Sequence, residues 1–331
     1  MSAPAPRLLV TGAGGLLGRE LCEVLAVAEG RHTTLDRAGL DITDAAAVRR
    51  AVPGHDVVVN AAAWTDVDGA ESDEAGATAV NGAGPAHLAR ACARSGAVLI
   101  HLSSDYVFSG ETEVPWPEDA PPAPLNAYGR SKLAGERAVR DLLPGRGYVV
   151  RTGWLYGRHG PNFVRAVLRR AAETEFVDVV DDQHGQPTWA RALAARLVTL
   201  AGLAAAGRAP AGIYHGTAAG RTTWYGFARA VFALHGLDPG RVRPTDSRAV
   251  AARPARRPRI SVLGHDGWAR AGLGPLPPWR RMIEAAVAEQ QSAAVAEQQS
   301  PAVAEQQSPA VAEQRSPAVA GGAGRTRRRP A

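Results

Sequence analysis

The sequence predicts an α/β fold built on a Rossmann-type doubly wound parallel sheet, and three observations carry that prediction. Short apolar runs alternate with helix-patterned segments through the first 150 residues, the alternation expected of right-handed crossovers in a parallel sheet. Asp56–Ala62 (DVVVNAA) contains an unbroken apolar run, as in strands buried on both faces. A glycine-rich turn, Gly12 to Gly18, joins the first apolar run directly to the first helical pattern.

Taken in order, Leu8–Gly12 reads as a strand and Leu16–Val27 as a helix with apolar residues at helical spacing. His32–Asp36 is a second strand. Asp44–Val52 is a helix whose first residue is a natural cap. Asp56–Ala62 is the third strand, Ala77–Ser95 a long helix, Val98–Ser103 the fourth strand and Tyr128–Leu143 another helix. Beyond Tyr148–Leu155 the alternation loosens and proline-rich loops appear. The expected organisation is therefore a first domain over 1–150 and a smaller carboxy-terminal lobe over 151–285, partly interleaved with it. In the final stretch, 286–331, the unit AVAEQQS(A/P) recurs every eight residues, at Val287, Val295, Val303, Val311 and Val319. Each unit brings one valine, and Pro301, Pro309 and Pro317 interrupt helix formation. That is too little apolar surface to offset the ordering of a chain, so a disordered tail is expected.

Composition excludes several classes. Of 331 residues, 45% are hydrophobic and 21% charged, an ordinary globular balance. No apolar run reaches the roughly 18 residues of a membrane-spanning helix, and MSAPAPRLLVTG lacks the pattern of a secretory signal. Cys22 and Cys92 are too few for a disulfide framework or a zinc site, so a reducing cytoplasm is expected. The net charge of +6 is spread along the chain, with arginine concentrations only at Arg253–Arg259 and Arg325–Arg329. No DNA-docking motif accompanies it, so a nucleic-acid partner is not expected. An anionic small ligand fits the same charge.

Gly12, Gly15 and Gly18 form GxxGxxG after a strand and before a helix. Such a turn brings backbone close to a pyrophosphate, which the positive end of the helix dipole favours. A bound dinucleotide follows. Asp36, 18 residues after Gly18 at the end of the second strand, is placed to accept from ribose hydroxyls, which points to NAD. Arg37 beside it suits a 2′-phosphate, which points to NADP. With both present, use of NADPH and of NADH is expected.

Ser103-Ser104-Asp105-Tyr106 ends the fourth strand at the carboxyl edge of the sheet, where such folds bind ligands. Tyr128-Gly-Arg-Ser-Lys132 then reads YxxxK at the start of a helix, placing both side chains on one face. A phenol, with a pKa of about 10, is a poor acid at neutral pH. The lysine cation is expected to draw it toward its working range, and a serine hydroxyl can hold a substrate carbonyl beside it. His55, His87, His101 and His184 share no metal-ligand spacing, and Asp66, Asp68, Glu71, Asp73 and Glu74 read as a solvated acidic loop. No metal ligand is assigned. Arg253–Arg259 suits a diphosphate or the fold itself. Trp189, Trp224 and Trp268 read as core packing, and no GxSxG elbow surrounds Ser103 or Ser104.

These residues resemble the extended short-chain dehydrogenase/reductases. More narrowly, VVNAAAWTDVDGAES, SSDYVFSG, PLNAYGRSKLAGE, RTGWLYG, DDQHGQPT, GIYHGTAAGRTTWYGFARA and RPRISVL resemble the dTDP-4-dehydrorhamnose reductase family, from about Arg7 to about Ala286. The resemblance implies hydride transfer from NAD(P)H to the C4 ketone of a dTDP-linked 4-keto-6-deoxysugar, by a monomer or homodimer. It places Gly15, Leu16 and Leu17 on the pyrophosphate, Asp36, Asp41 and Ile42 at the adenosine end, and Ala63, Trp64 and Thr65 along the nicotinamide. It gives Ser104 and Asp105 to the sugar, the proton to Tyr128, the nicotinamide ribose to Lys132, and the cover of the sugar ring to Trp154. Ser104 stands where the family usually has threonine, keeping the hydroxyl, and Leu16 where glutamine is common. Some relatives use magnesium, so Mg2+ stays open. A related antibiotic sugar, such as dihydrostreptose, is the alternative substrate. A non-catalytic regulatory subunit, as relatives provide for a methionine adenosyltransferase, would have no need of Ser104, Tyr128 and Lys132 together.

Overall fold

In the computed structural model, which describes residues 5–28, 30–249 and 253–298, six strands make the central sheet. They are β1 (Leu8–Thr11), β2 (His32–Leu35), β3 (Val57–Asn60), β4 (Val98–Ser104), β5 (Gly147–Thr152) and β6 (Gly212–His215). All pair in parallel, in the order β2-β1-β3-β4-β5-β6. The winding reverses at β1, which lies between β2 and β3, and that reversal opens a crevice at the carboxyl ends of the strands.

The apolar runs become this sheet because each is too short for a helix and must hide both faces. β1, β3, β4 and β5 are buried at every position, whereas the polar β2 (HTTL) forms the exposed edge. Alternation along the strands divides the core in two. Val10, Val59, Ile100 and Val150 pack on one side of the sheet, and Leu9, Val58, Leu99 and Val149 on the other. The first side receives α1 (Leu16–Val27), and the second α2 (Ala45–Ala51) and α3 (Gly84–Ser95). Asp44 caps α2 as expected, accepting from the Ala46 and Ala47 N–H groups. α4 (Ala127–Leu142), α5 (Phe163–Glu173), α6 (Ala190–Ala205) and α7 (Trp224–Leu234) follow, then α8 (Trp279–Gln298).

Two expectations are corrected. The single helix expected over Ala77–Ser95 is interrupted by a π-type segment, Ala79–Ala83, before α3 begins. Gly82, Gly84 and Pro85 weaken a regular helix there. A Cβ on Gly84 would stand only 2.6 Å from the Ile42 side chain. The second concerns the tail. Ala286 and Val287, the first residues assigned to it, are buried core residues of α8, and the helix runs on to Gln298. Trp279, Met282 and Ile283 anchor and nucleate it. The alanines, glutamates and glutamines that follow propagate it, with no proline before Pro301. The remainder of the expected disordered tail, 299–331, lies outside the described residues.

The described residues up to Glu289 form one compact unit, in which β6, from the expected second lobe, is an edge strand of the sheet. Among the described residues no helix is long and apolar enough to cross a membrane.

Candidate active site

A cavity of about 1000 Å³ opens at the carboxyl edge of the sheet, and every expected site residue except Gly18 lines it. Gly18 acts from behind the wall: a Cβ there would lie 2.1 Å from the Gly12 carbonyl oxygen. Gly12 has φ +73°, and a Cβ on it would meet the Ala62 nitrogen at 2.4 Å. Gly15 is different, since its nearest neighbour would be 3.4 Å away, and its missing side chain leaves space in the cavity. No side chain caps α1, so the first N–H groups of that helix stay available to an anion. This backbone cradle fits a pyrophosphate.

At the far end of the cradle the exposed Asp36 accepts from the Gly39 N–H at 2.9 Å, with Arg37 exposed beside it. Asp41 is tied to Thr43 by its hydroxyl and N–H, which hold the carboxyl below its usual range. Ile42 is buried beneath.

The middle wall is held by two amides. Asn60 accepts from the Thr11 hydroxyl at 2.7 Å and from the Ala62 N–H at 3.2 Å, shaping the strand exit toward Ala63. Asn81, in the π-type segment, accepts from the Trp64 N–H at 2.9 Å and donates to its carbonyl at 3.0 Å. It also donates to Ser131, one turn into α4. Sequence reasoning missed Asn81. A buried amide beside Gly82 in a helical run is the trace it left.

Tyr128 and Lys132 start α4, whose cap Asn126 accepts from the Gly129 N–H at 2.7 Å. A Cβ at Gly129 would lie 2.2 Å from the Tyr106 carbonyl oxygen, so glycine lets this helix approach the end of β4. Ser104 beside the Tyr128 phenol favours its ionised form, yet burial, with Asp105 adding to it, pushes the phenol up to about 12. Lys132 is buried, donates to the Leu102 carbonyl at 2.6 Å, and is brought down to about 8 by burial against the opposing pull of Glu136. The Lys132 ammonium lines the same cavity as the phenol while donating to a strand carbonyl, and desolvation dominates Tyr128. A phenol kept protonated at neutral pH is suited to giving a proton to an alkoxide. Behind Lys132, Glu136 receives the Ser103 hydroxyl at 2.5 Å and a two-point contact from buried Arg151 at 2.9 and 2.7 Å.

Trp154 overhangs the cavity with an uncommon φ of +52° and stacks on Trp224, ring centroids 3.4 Å apart and planes 2° from parallel. Trp224, expected in the core, is half-buried and lines the cavity; Trp268 is a core residue, and Trp189 packs partly buried against the same core. The acidic loop is not simply solvated: Glu71 accepts from the Ala127 N–H, Glu74 pairs with Arg130 and Asp68 with Arg257. Among the described residues one group, Glu20, Glu23 and His159, is close enough to hold a metal, but Arg158 and Arg191 already pair with Glu23.

The fold, and a cavity where a glycine cradle meets Ser104, Tyr128 and Lys132, define an oxidoreductase of the extended short-chain dehydrogenase/reductase class. The comparisons with known proteins narrow this. Residues 6–292 match the family described as RmlD substrate binding domain, and the chain belongs to that family. It is 58% identical over 282 residues to a dTDP-4-dehydrorhamnose reductase of Streptomyces griseus, covering 85% of this chain and 92% of that one. To a dTDP-4-keto-6-deoxy-D-glucose reductase of Streptomyces niveus it is 49% identical, covering 85% and 96%. Its structure resembles the dTDP-4-dehydrorhamnose reductase of Bacillus anthracis, solved in complex with NADP, with TM-score 0.81 and 34% identity over 86% of this chain and 100% of that one.

Proposed function

We propose that this chain reduces the C4 ketone of dTDP-4-dehydro-6-deoxy-L-hexose, converting dTDP-4-dehydro-L-rhamnose to dTDP-L-rhamnose, with NADPH as donor. The observation that carries the reading is one cavity holding both the uncapped amino terminus of α1 and the Ser104–Tyr128 pair. The bound nicotinamide supplies the hydride. Backbone from Gly12 to Leu17 holds the pyrophosphate, Asp36 and Arg37 share the adenosine ribose and its 2′-phosphate, and the backbone of Ala63 and Trp64, fixed by Asn81, borders the nicotinamide. Lys132 bonds the nicotinamide ribose. Ser104 orients the ketone oxygen, Tyr128 gives it a proton as it becomes an alkoxide, and Trp154 covers the sugar.

The Streptomyces niveus relative favours a second reading, in which the same chemistry acts on another dTDP-4-keto-6-deoxysugar. Turnover of both sugar nucleotides, with NADPH and NADH in parallel, separates the two. NADPH oxidation dependent on dTDP-4-dehydro-L-rhamnose is expected; none with that sugar, alongside turnover of another, shifts the assignment.

A further inference from the structure

Trp154 is the one non-glycine residue with a positive φ among the described residues, at +52°. A bulky side chain keeps such a backbone only where its surroundings enforce it. Here the enforcement comes from later segments of the chain. The Trp154 carbonyl accepts from the Thr188 N–H at 3.1 Å, and the next two residues, Leu155–Tyr156, pair in parallel with Thr188–Trp189. The indole lies against buried Gly185, where a Cβ would stand 2.2 Å from one of its ring carbons, and it stacks on Trp224.

Gly185 and Trp224 reach it together. His184–Gly185 and Thr222–Thr223 pair antiparallel, and Trp224 follows directly as the first residue of α7. That start is fixed, since Thr223 Oγ1 accepts from the Gly226 N–H at 3.0 Å and donates to Asp181 at 2.5 Å. The Trp224 ring is bedded in turn on Phe163, centroids 4.5 Å apart, which packs on buried Phe227. Trp224 is therefore a firmly seated ring, and Trp154 leans on it.

We propose that Trp224 is a positioning residue for the sugar. With Gly185 it clamps Trp154 in its strained backbone state and so sets where that indole overhangs the cavity. Trp224 acts through Trp154, and the bare backbone of Gly185 leaves room for the indole. Both tryptophans line the cavity with Ser104 and Tyr128, so a change in the tilt of Trp154 changes the space left for a sugar beside them.

The proposal rests on Trp154 covering the sugar, and its test has an arm that needs no substrate. In the whole chain, the ¹⁵N–¹H nuclear Overhauser effect of the Trp154 indole, assigned by its loss in Trp154→Phe, should be that of a rigid group. It should fall in Trp224→Ala and recover in Trp224→Phe, which keeps a flat ring. An unchanged value in Trp224→Ala overturns the clamp, whatever the sugar proves to be. The kinetic arm uses whichever dTDP-4-keto sugar the chain reduces. A chain that reduces none fails the activity reading, and the indole arm still decides the clamp. Trp224→Ala should raise the Michaelis constant for the sugar nucleotide about three- to tenfold, the worth of an aromatic pair, with NADPH affinity by titration unchanged. Gly185→Ala, which removes no ring, should raise it as well. In a Trp154→Ala background, Trp224→Ala should change it less than about twofold, because a residue acting through another adds nothing once that other is gone. A rise there as large as in the parent chain overturns the proposal, as does an unmoved Michaelis constant in Gly185→Ala. So does a Trp224→Ala chain that loses melting temperature or turnover but keeps its Michaelis constant, which would mark Trp224 as core packing.

Discussion

At the glycine-loop end of the cavity the wall is largely backbone, and the flanking Asp36 and Arg37 stand in solvent. At the Tyr128 end it is made of buried or half-buried side chains whose protonation is displaced from the ordinary range. The first end works through shape and a helix dipole, and its requirements are steric. The second works through desolvation, and its requirements are which groups are excluded from water and which hydrogen bonds oppose that. Substitutions should therefore fail differently at the two ends.

The sharpest test is Tyr128→Phe. It removes the acid and keeps the ring that packs edge-on against Tyr106. Turnover should fall on the order of 10²- to 10⁴-fold, with cofactor affinity, measured by titration, nearly intact. Lys132→Ala should harm both. A Tyr128→Phe chain keeping more than about half its turnover would remove the proton-donor role.

At the other end, Gly18→Ala should destabilise the fold by about 1–3 kcal/mol, the usual cost of overpacking, because its Cβ would sit against the Gly12 carbonyl. Gly15→Ala, with ordinary contact distance around its Cβ, should leave the melting temperature nearly unchanged and weaken dinucleotide binding instead. Equal losses of stability in the two variants would break the distinction between a glycine needed by the fold and one needed by the ligand.

Side-chain burial also predicts a pH response. Burial first, then Arg151, lowers His215 to about 3, while in the unfolded chain histidine titrates near about 6.5. The unfolded state thus takes up a proton that the folded state refuses. The stability from a neutral His215 is full above pH 6.5 and is lost as pH falls toward 3. Thermal melts between about pH 6.5 and 5 should decline less steeply in His215→Asn than in the parent chain. The smallest expected effect is at the exposed rim: Arg37→Ala should raise the Michaelis constant for NADPH severalfold and leave that for NADH unchanged. An equal rise for both would detach Arg37 from the 2′-phosphate.

The same contrast explains what could be read from the residues alone. β1, the glycine turn, α1 and the spacing of Tyr128 and Lys132 are local patterns, and each lies where the pattern put it. Asn81 was hidden because its importance comes from Trp64, 17 positions away, and not from its neighbours. Trp224 opens α7 and reads as one more apolar residue of an amphipathic helix; only the arrival of Trp154 turns it toward the cavity. The weakened acidity of Asp105 was hidden for a similar reason, since burial raises its carboxyl and Gly153, far along the chain, leaves the space it occupies. At α8 the composition misled in the opposite direction. A repeat with one valine in eight residues looks unable to fold, but its first unit continues a helix already anchored by Trp279 and Ile283.

The parallel Trp154 and Trp224 rings make the chain its own optical probe. Two indoles held 3.4 Å apart and within 2° of parallel share their electronic excitation, so their near-ultraviolet circular dichroism is that of a coupled pair and not of two separate chromophores. A ligand that displaced or tilted either ring would change the coupling directly. Occupancy of the Trp154 end of the cavity is then expected to be readable without label, reaction or cofactor, with Trp224→Phe as the blank.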